Sequence, residues 1–155
     1  MKFLKEINGI HYFNICIEEI DKIKQLWQES GKYHANLSKN FSEIFYTSNF
    51  EERMKKLISM EKIYITLAMK ENQKLGFCLS SIENDCGELS AFFVNENFRR
   101  KGIGGVLIKD HLFWLKENAS SVRVAVLYEN EKTFELYRKY GFEAFSTTML
   151  LIKEK

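Results

Sequence analysis

The segment Val94-Asn95-Glu96-Asn97-Phe98-Arg99-Arg100-Lys101-Gly102-Ile103-Gly104-Gly105-Val106 concentrates glycine and positive charge where an apolar run gives way to a helical pattern. A helix N-terminus leaves about four amide donors unpaired and carries roughly half a positive charge, so it stabilises an anion such as a diphosphate. Glycine lets that anion reach the backbone of Gly102, Ile103, Gly104 and Gly105 without meeting a Cβ. Arg99, Arg100 and Lys101 add Coulomb attraction for a polyanion. A Walker A loop is excluded, because no Lys-Ser or Lys-Thr follows the last glycine. A dinucleotide fingerprint from Gly102 would need its third glycine where Leu107 stands, although Glu129 falls at a distance suited to a ribose contact, so it stays as a rival.

A second motif follows one strand later: Asn130-Glu131-Lys132-Thr133-Phe134-Glu135-Leu136-Tyr137-Arg138-Lys139-Tyr140-Gly141-Phe142. Together with the spacing Arg-x-x-Gly-x-Gly from Arg99 to Gly104, it resembles the GNAT superfamily of N-acetyltransferases, whose members carry Asn-x-x-Ala-x-x-Leu-Tyr-x-x-x-Gly-Phe at this place. Three positions depart from the family pattern: Thr133 for Ala, Glu96 for a common Pro, and Arg100 for a common Gly. The resemblance runs from about residue 87 to 142. The first sixty residues share with the family an order of elements.

The resemblance implies direct attack of a neutral amine on the thioester of acetyl-coenzyme A, with no covalent cysteine intermediate and no metal. Tyr137 matches the family's acid position and shares a helical face with Asn130 and Thr133, which would look at the cofactor. A phenol, ordinarily near ~10, is of the right order to donate to a thiolate whose thiol lies near ~8.5. Glu88 matches a position where some members place a glutamate base, on a strand face read as also carrying Ser90 and Phe92. Water, Glu88 and His34 are the alternatives for that base. A backbone amide near Phe93 or Val94 would steady the oxyanion, beside a gap where the two neighbouring strands splay. The acceptor pocket would come from the early helices, where Tyr33, His34, Phe41, Phe45, Tyr46 and Phe50 cluster, with His34 as the substrate-binding candidate. His111, inside a helical pattern, reads as packed or solvated. The expected activity is N-acetylation of an amine on a small molecule or peptide; a non-catalytic acyl-coenzyme A sensor would keep residues 99–105 and have no use for Tyr137. Family members are often dimers, so a homodimer is one expected assembly.

The whole-chain totals agree with that reading. Lysine and arginine (23) nearly balance aspartate and glutamate (21), so no global field recommends nucleic acid or a membrane surface. Cys16, Cys78 and Cys86 form no CxxC pair, which suits free thiols in a reducing cytoplasm. No apolar run approaches the ~20 residues of a membrane span, and the first ten residues do not read as a signal peptide.

The elements that must hold the loop follow from periodicity. Residues 10–17 read as a strand, and Ile20, Ile23, Leu26 and Trp27 recur at helical spacing. Residues 40–60 read as one or two short helices. Three strands at 62–69, 75–82 and 87–94, joined by short polar turns, imply an antiparallel meander. A helix after the glycines, a buried strand at 122–127, a helix from Asn130 to Tyr140 and a last strand at 142–152 complete the chain. With no proline and no linker, the chain is expected to be one domain over residues 1–155: a mixed, mostly antiparallel α/β sheet flanked by helices in the order β-α-α-β-β-β-α-β-α-β.

Overall fold

Asn8 and Gly9 both adopt left-handed backbone angles, with φ of 53° and 78°. Such a pair forms the two-residue turn whose twist suits a hairpin, and it joins β1 (Lys2–Ile7) to β2 (Ile10–Asn14). The computed structural model describes residues 1–153. These fall into two compact units: Met1–Ser30 with Asn49–Ala125, and Gly31–Ser48 with the chain from Val126 onward.

The first unit is built on a six-stranded sheet in the order β1-β2-β3-β4-β5-β6. Strands β3 (Lys62–Lys70), β4 (Gln73–Glu83) and β5 (Cys86–Val94) continue the antiparallel run. Their connections turn through left-handed Glu71 and through left-handed Asn84 and Asp85, so the polar turn residues do the work expected of them. A parallel neighbour requires a crossover, and helix α4 (Ile103–Asn118) supplies it between β5 and β6 (Ser121–Val124). Ahead of the meander, a 3-10 turn at Ile17–Ile23 leads into α1 (Lys24–Leu37). Helix α3 (Phe50–Ile58) starts at Asn49, whose side chain accepts the Glu52 amide at 3.0 Å.

Helix α4 buries Ile103, Leu107, Ile108, Leu112 and Leu115 against the sheet. Each such burial is worth about 2 kcal/mol, several times a surface ion pair, so apolar packing decides where the helix lies. His111 stands among them with no exposure: Nδ1 is 2.7 Å from the Ser80 hydroxyl on β4, and Nε2 is 3.0 Å from the Thr66 hydroxyl on β3. The histidine is therefore packed, and burial pushes its imidazole down to about 3.

The second unit holds the C-terminal part of α1, helix α2 (Ser42–Tyr46) and helix α5 (Glu131–Lys139). Gly141 takes the left-handed stop at φ 92°.

The mixed, mostly antiparallel sheet is as expected, and the sequence reading is corrected at both ends and in one place between. Strand β1 was not anticipated. The last strand expected at 142–152 is absent: that stretch has no ladder, and Phe145, Met149 and Leu151 are exposed. A branched and apolar composition does not by itself make a strand, which also needs a partner ladder, and β6 pairs with β5 alone. Strand β6 is shorter than the expected 122–127, and its exposed and half-buried residues alternate because successive side chains point to opposite faces of the sheet. The segment 40–60 forms two short helices, within the expectation of one or two.

Candidate active site

The bend into α4 is left-handed twice. Arg100 has φ 61° and Gly102 has φ 81°, with Gly102 as the residue before the first helical position. A backbone that alternates its hand in this way turns successive amides toward one concavity. The helical ladder opens with the Val106 amide on the Gly102 carbonyl at 3.2 Å, so the amides of Ile103, Gly104 and Gly105 precede it without a carbonyl one turn back in the helix. Arg100, Lys101 and Gly102 are exposed while Ile103 is buried and anchors the first turn. Exposed donors, two cations and an absent Cβ at Gly102 fit a diphosphate.

The remaining glycines have different reasons. A Cβ on Gly104 would lie 3.1 Å from Phe92 Cζ, so that glycine allows the helix to approach β5. Arg100 stands where the family commonly has glycine, and the φ value explains that preference, since a left-handed angle costs about 1–2 kcal/mol in a residue with a Cβ. Lys101 Nζ lies over the Phe98 ring, 5.4 Å from its centre. Arg99 behaves unlike both: Nε donates to the Val94 carbonyl at 2.9 Å and the guanidinium lies 5.4 Å from the Phe93 ring centre.

Strand β5 ends with an open edge. Its pairing with β6 stops at Leu89 opposite Val124, while β5 continues to Val94. The Asn95 amide donates to the Leu75 carbonyl at 2.8 Å, and donors alternate along an antiparallel strand. It follows that the Phe93 amide faces β4 and the Val94 amide faces the open edge. Of the two oxyanion candidates, Val94 has the useful direction.

Glu88 lies before a bulge. Leu79 faces Ala91 and Ser80 faces Leu89, which leaves Ser90 as an extra residue. The bulge resets the alternation, so Glu88 shares its face with Ala91 and Phe93, whereas Phe92 turns toward Gly104 on α4. The expected grouping of Glu88 with Phe92 is therefore corrected. Ser90 does stay near Glu88, since its hydroxyl donates to the Glu88 carbonyl at 3.3 Å and bonds the Ser81 hydroxyl at 2.7 Å. The Glu88 carboxylate accepts from Arg123 Nε at 3.0 Å, directly opposite it on β6. No local signal in the sequence pairs Arg123 with Glu88, because the β5–β6 register is a tertiary fact; the place of Arg123 between Val122 and Val124 marks it only as facing outward.

The other candidates belong to the second unit. Asn130 is buried and caps α5, its side-chain oxygen accepting the Thr133 amide at 3.3 Å. Tyr137 is buried, with its ring edge-on to Phe142 at 5.6 Å. His34 stacks on Phe45 at 5.5 Å and meets Tyr33 edge-on at 5.7 Å, which brings three members of the expected aromatic cluster together. Cys16, Cys78 and Cys86 are free thiols, and Cys78 is fully buried, which pushes its thiol well up. Among the described residues no three His, Cys, Asp or Glu side chains gather as a metal site, and no helix is long and apolar enough to cross a membrane.

The sheet is mixed, and the end of β5 that β6 leaves open lies beside the glycine-rich start of α4. The family model described as the acetyltransferase (GNAT) family matches residues 23–142, and the chain belongs to that family. Among solved structures, it is similar to an aminoglycoside acetyltransferase from an uncultured soil metagenomic sample, at 18% identity over 96% of this chain and 97% of that one, with a TM-score of 0.63. The PaiA N-acetyltransferase from Thermoplasma acidophilum, in complex with coenzyme A, is 21% identical over 90% of this chain and 92% of that one, with a TM-score of 0.69. The aminoglycoside N-acetyltransferase AAC(6')-Iy, also with coenzyme A, is 15% identical over 93% and 99%, with a TM-score of 0.64. No curated protein matches the sequence.

Proposed function

We propose that this acetyltransferase moves an acetyl group from acetyl-coenzyme A to an amine of a small molecule or peptide, as a single domain working in the cytoplasm. The observation that carries the reading is the exposed, twice left-handed turn at Arg100 and Gly102, set at the start of α4 beside the unpaired end of β5. Bound acetyl-coenzyme A would supply an activated acyl group. The chain's own tasks are then to hold its diphosphate, polarise its carbonyl and manage two protons.

The amides of Gly102, Ile103, Gly104 and Gly105, with Arg100 and Lys101, hold the diphosphate in this reading. Val94 offers the amide that steadies the carbonyl oxygen. Glu88 takes the proton from the attacking amine, and Arg123 Nε, 3.0 Å from its carboxylate, holds it in place. Tyr137 gives a proton to the departing thiolate; Asn130 and Thr133, two turns and one turn before it, are assigned to the cofactor. His34 sits in the acceptor pocket. A structural neighbour described as an aminoglycoside acetyltransferase is in complex with sisomicin, which supports a small-molecule acceptor.

The test is release of free thiol from acetyl-coenzyme A across a panel of amines. Acceptor-dependent release is expected. Coenzyme A binding with no such release would replace the enzyme by a sensor, and stabilisation by NAD in place of coenzyme A would move the ligand class.

A further inference from the structure

We infer that Arg99 is a positioning residue for the end of β5 and acts through the geometry of its Nε, in place of serving as a charge for the cofactor's phosphates. The inference rests on the acetyl-transfer reading for its catalytic consequence, and on the free protein for its structural part. By residue type, Arg99 belongs with Arg100 and Lys101 as one basic cluster. By structure it is set apart: those two are exposed, whereas Arg99 folds back across the 3-10 turn Glu96–Phe98 onto the strand it has just left. Its Nε donates to the Val94 carbonyl at 2.9 Å, and its guanidinium covers the Phe93 ring.

The target of that bond explains its use. Since the Asn95 amide is paired to Leu75, the Val94 peptide groups point to the opposite edge, the one that β6 leaves open beyond Leu89. The Val94 carbonyl would otherwise lack the donor that a neighbouring strand provides. Arg99 Nε takes that donor's place, holding the strand end so that the Val94 amide keeps its outward direction. The residue thus links the loop that would hold a diphosphate to the strand end that would hold a thioester.

The atom responsible selects among substitutions. In glutamine the amide nitrogen lies the same number of bonds from Cα as arginine Nε. In lysine a methylene occupies that place and the charge sits one bond further out, so lysine keeps the cation and loses the donor. A positioning role therefore ranks Arg99→Gln above Arg99→Lys, and a phosphate-charge role ranks them the other way.

The experiment compares wild type, Arg99→Gln and Arg99→Lys in three measurements: amide hydrogen exchange at Asn95 in the free protein, coenzyme A affinity by calorimetry, and kcat with the best amine found. Arg99→Lys is expected to lose protection at Asn95 and to lower kcat by about 10- to 100-fold, the range of a small misplacement, with coenzyme A affinity changed less than about threefold. Arg99→Gln is expected to retain Asn95 protection and to lose about threefold or less in kcat. Lysine outperforming glutamine, with affinity falling in the glutamine variant and its salt dependence weakened, overturns the inference, as does equal Asn95 protection in all three proteins. A wild type that binds no coenzyme A sinks the acetyl-transfer reading instead, while the exchange ranking still decides what holds the strand end.

Discussion

Acidification should unfold this protein partly through His111. The imidazole is buried between two hydroxyls and pushed down to about 3, whereas in the unfolded chain it titrates near 6.5. A base whose folded value is depressed binds its proton first in the unfolded state. Its contribution is therefore complete above about pH 6.5 and is lost as pH falls toward 3, at about 1.4 kcal/mol per unit through the middle of that window. From pH 7 to pH 5 the loss integrates to about 2 kcal/mol. With a urea m value of roughly 1–3 kcal/mol/M, that is a shift of about 1 M in the unfolding midpoint. The comparison protein is His111→Gln, which keeps a neutral hydrogen-bonding side chain and removes the titration. It should be less stable at pH 7, by about 1–3 kcal/mol for the imperfectly replaced bonds, yet show a flatter decline to pH 5. Subtracting the two pH profiles removes the carboxylates they share. Equal declines in both proteins would mean that His111 is protonated without penalty where it stands, and would refute the account of its burial.

Three other outcomes follow from the site. Arg100→Gly should stabilise the fold by up to about 1 kcal/mol, or about 2–4 °C in Tm, by relieving the left-handed angle, while weakening coenzyme A binding most at low salt; a lower Tm would deny the strain. Tyr137→Phe should lower kcat at least about tenfold with coenzyme A affinity nearly unchanged, and an unaltered kcat under chemistry-limited turnover would remove the phenol from the mechanism. Glu88→Gln should lower kcat/KM at least about tenfold with coenzyme A affinity nearly unchanged; unaltered turnover would exclude Glu88 as the base.

The sequence made the middle of the molecule legible because its signals are local. The meander announces itself through short polar turns between branched runs, and the loop through glycines at a helix start. Asn8-Gly9 carried an equally strong hairpin signal, yet Lys2–Ile7 has three charges in six residues and masks the strand. Residues 142–152 show the reverse error, a strand-like composition without a ladder. Non-local facts were out of reach: the bulge at Ser90, the register that sets Arg123 opposite Glu88, and the fold-back of Arg99 onto Val94 all depend on which strand lies beside which. Asn130 shows a motif residue with two uses, since its side chain is engaged as a helix cap whatever else it touches.

The extra residue at Ser90 divides β5 into two stretches with opposite parity. Up to Leu89 the strand obeys its two neighbours; past the bulge, the side chain that meets the helix is Phe92, which is the one packed on Gly104. Deleting Ser90 would leave a regular ladder in which Glu88 stays opposite Ser81 and Arg123, and Phe92 stays opposite Cys78 on the α4 face; only the local bend and the bond to the Ser81 hydroxyl would go. A single codon thus governs the twist of the strand end, while the side-chain faces and the order of strands stay as they are.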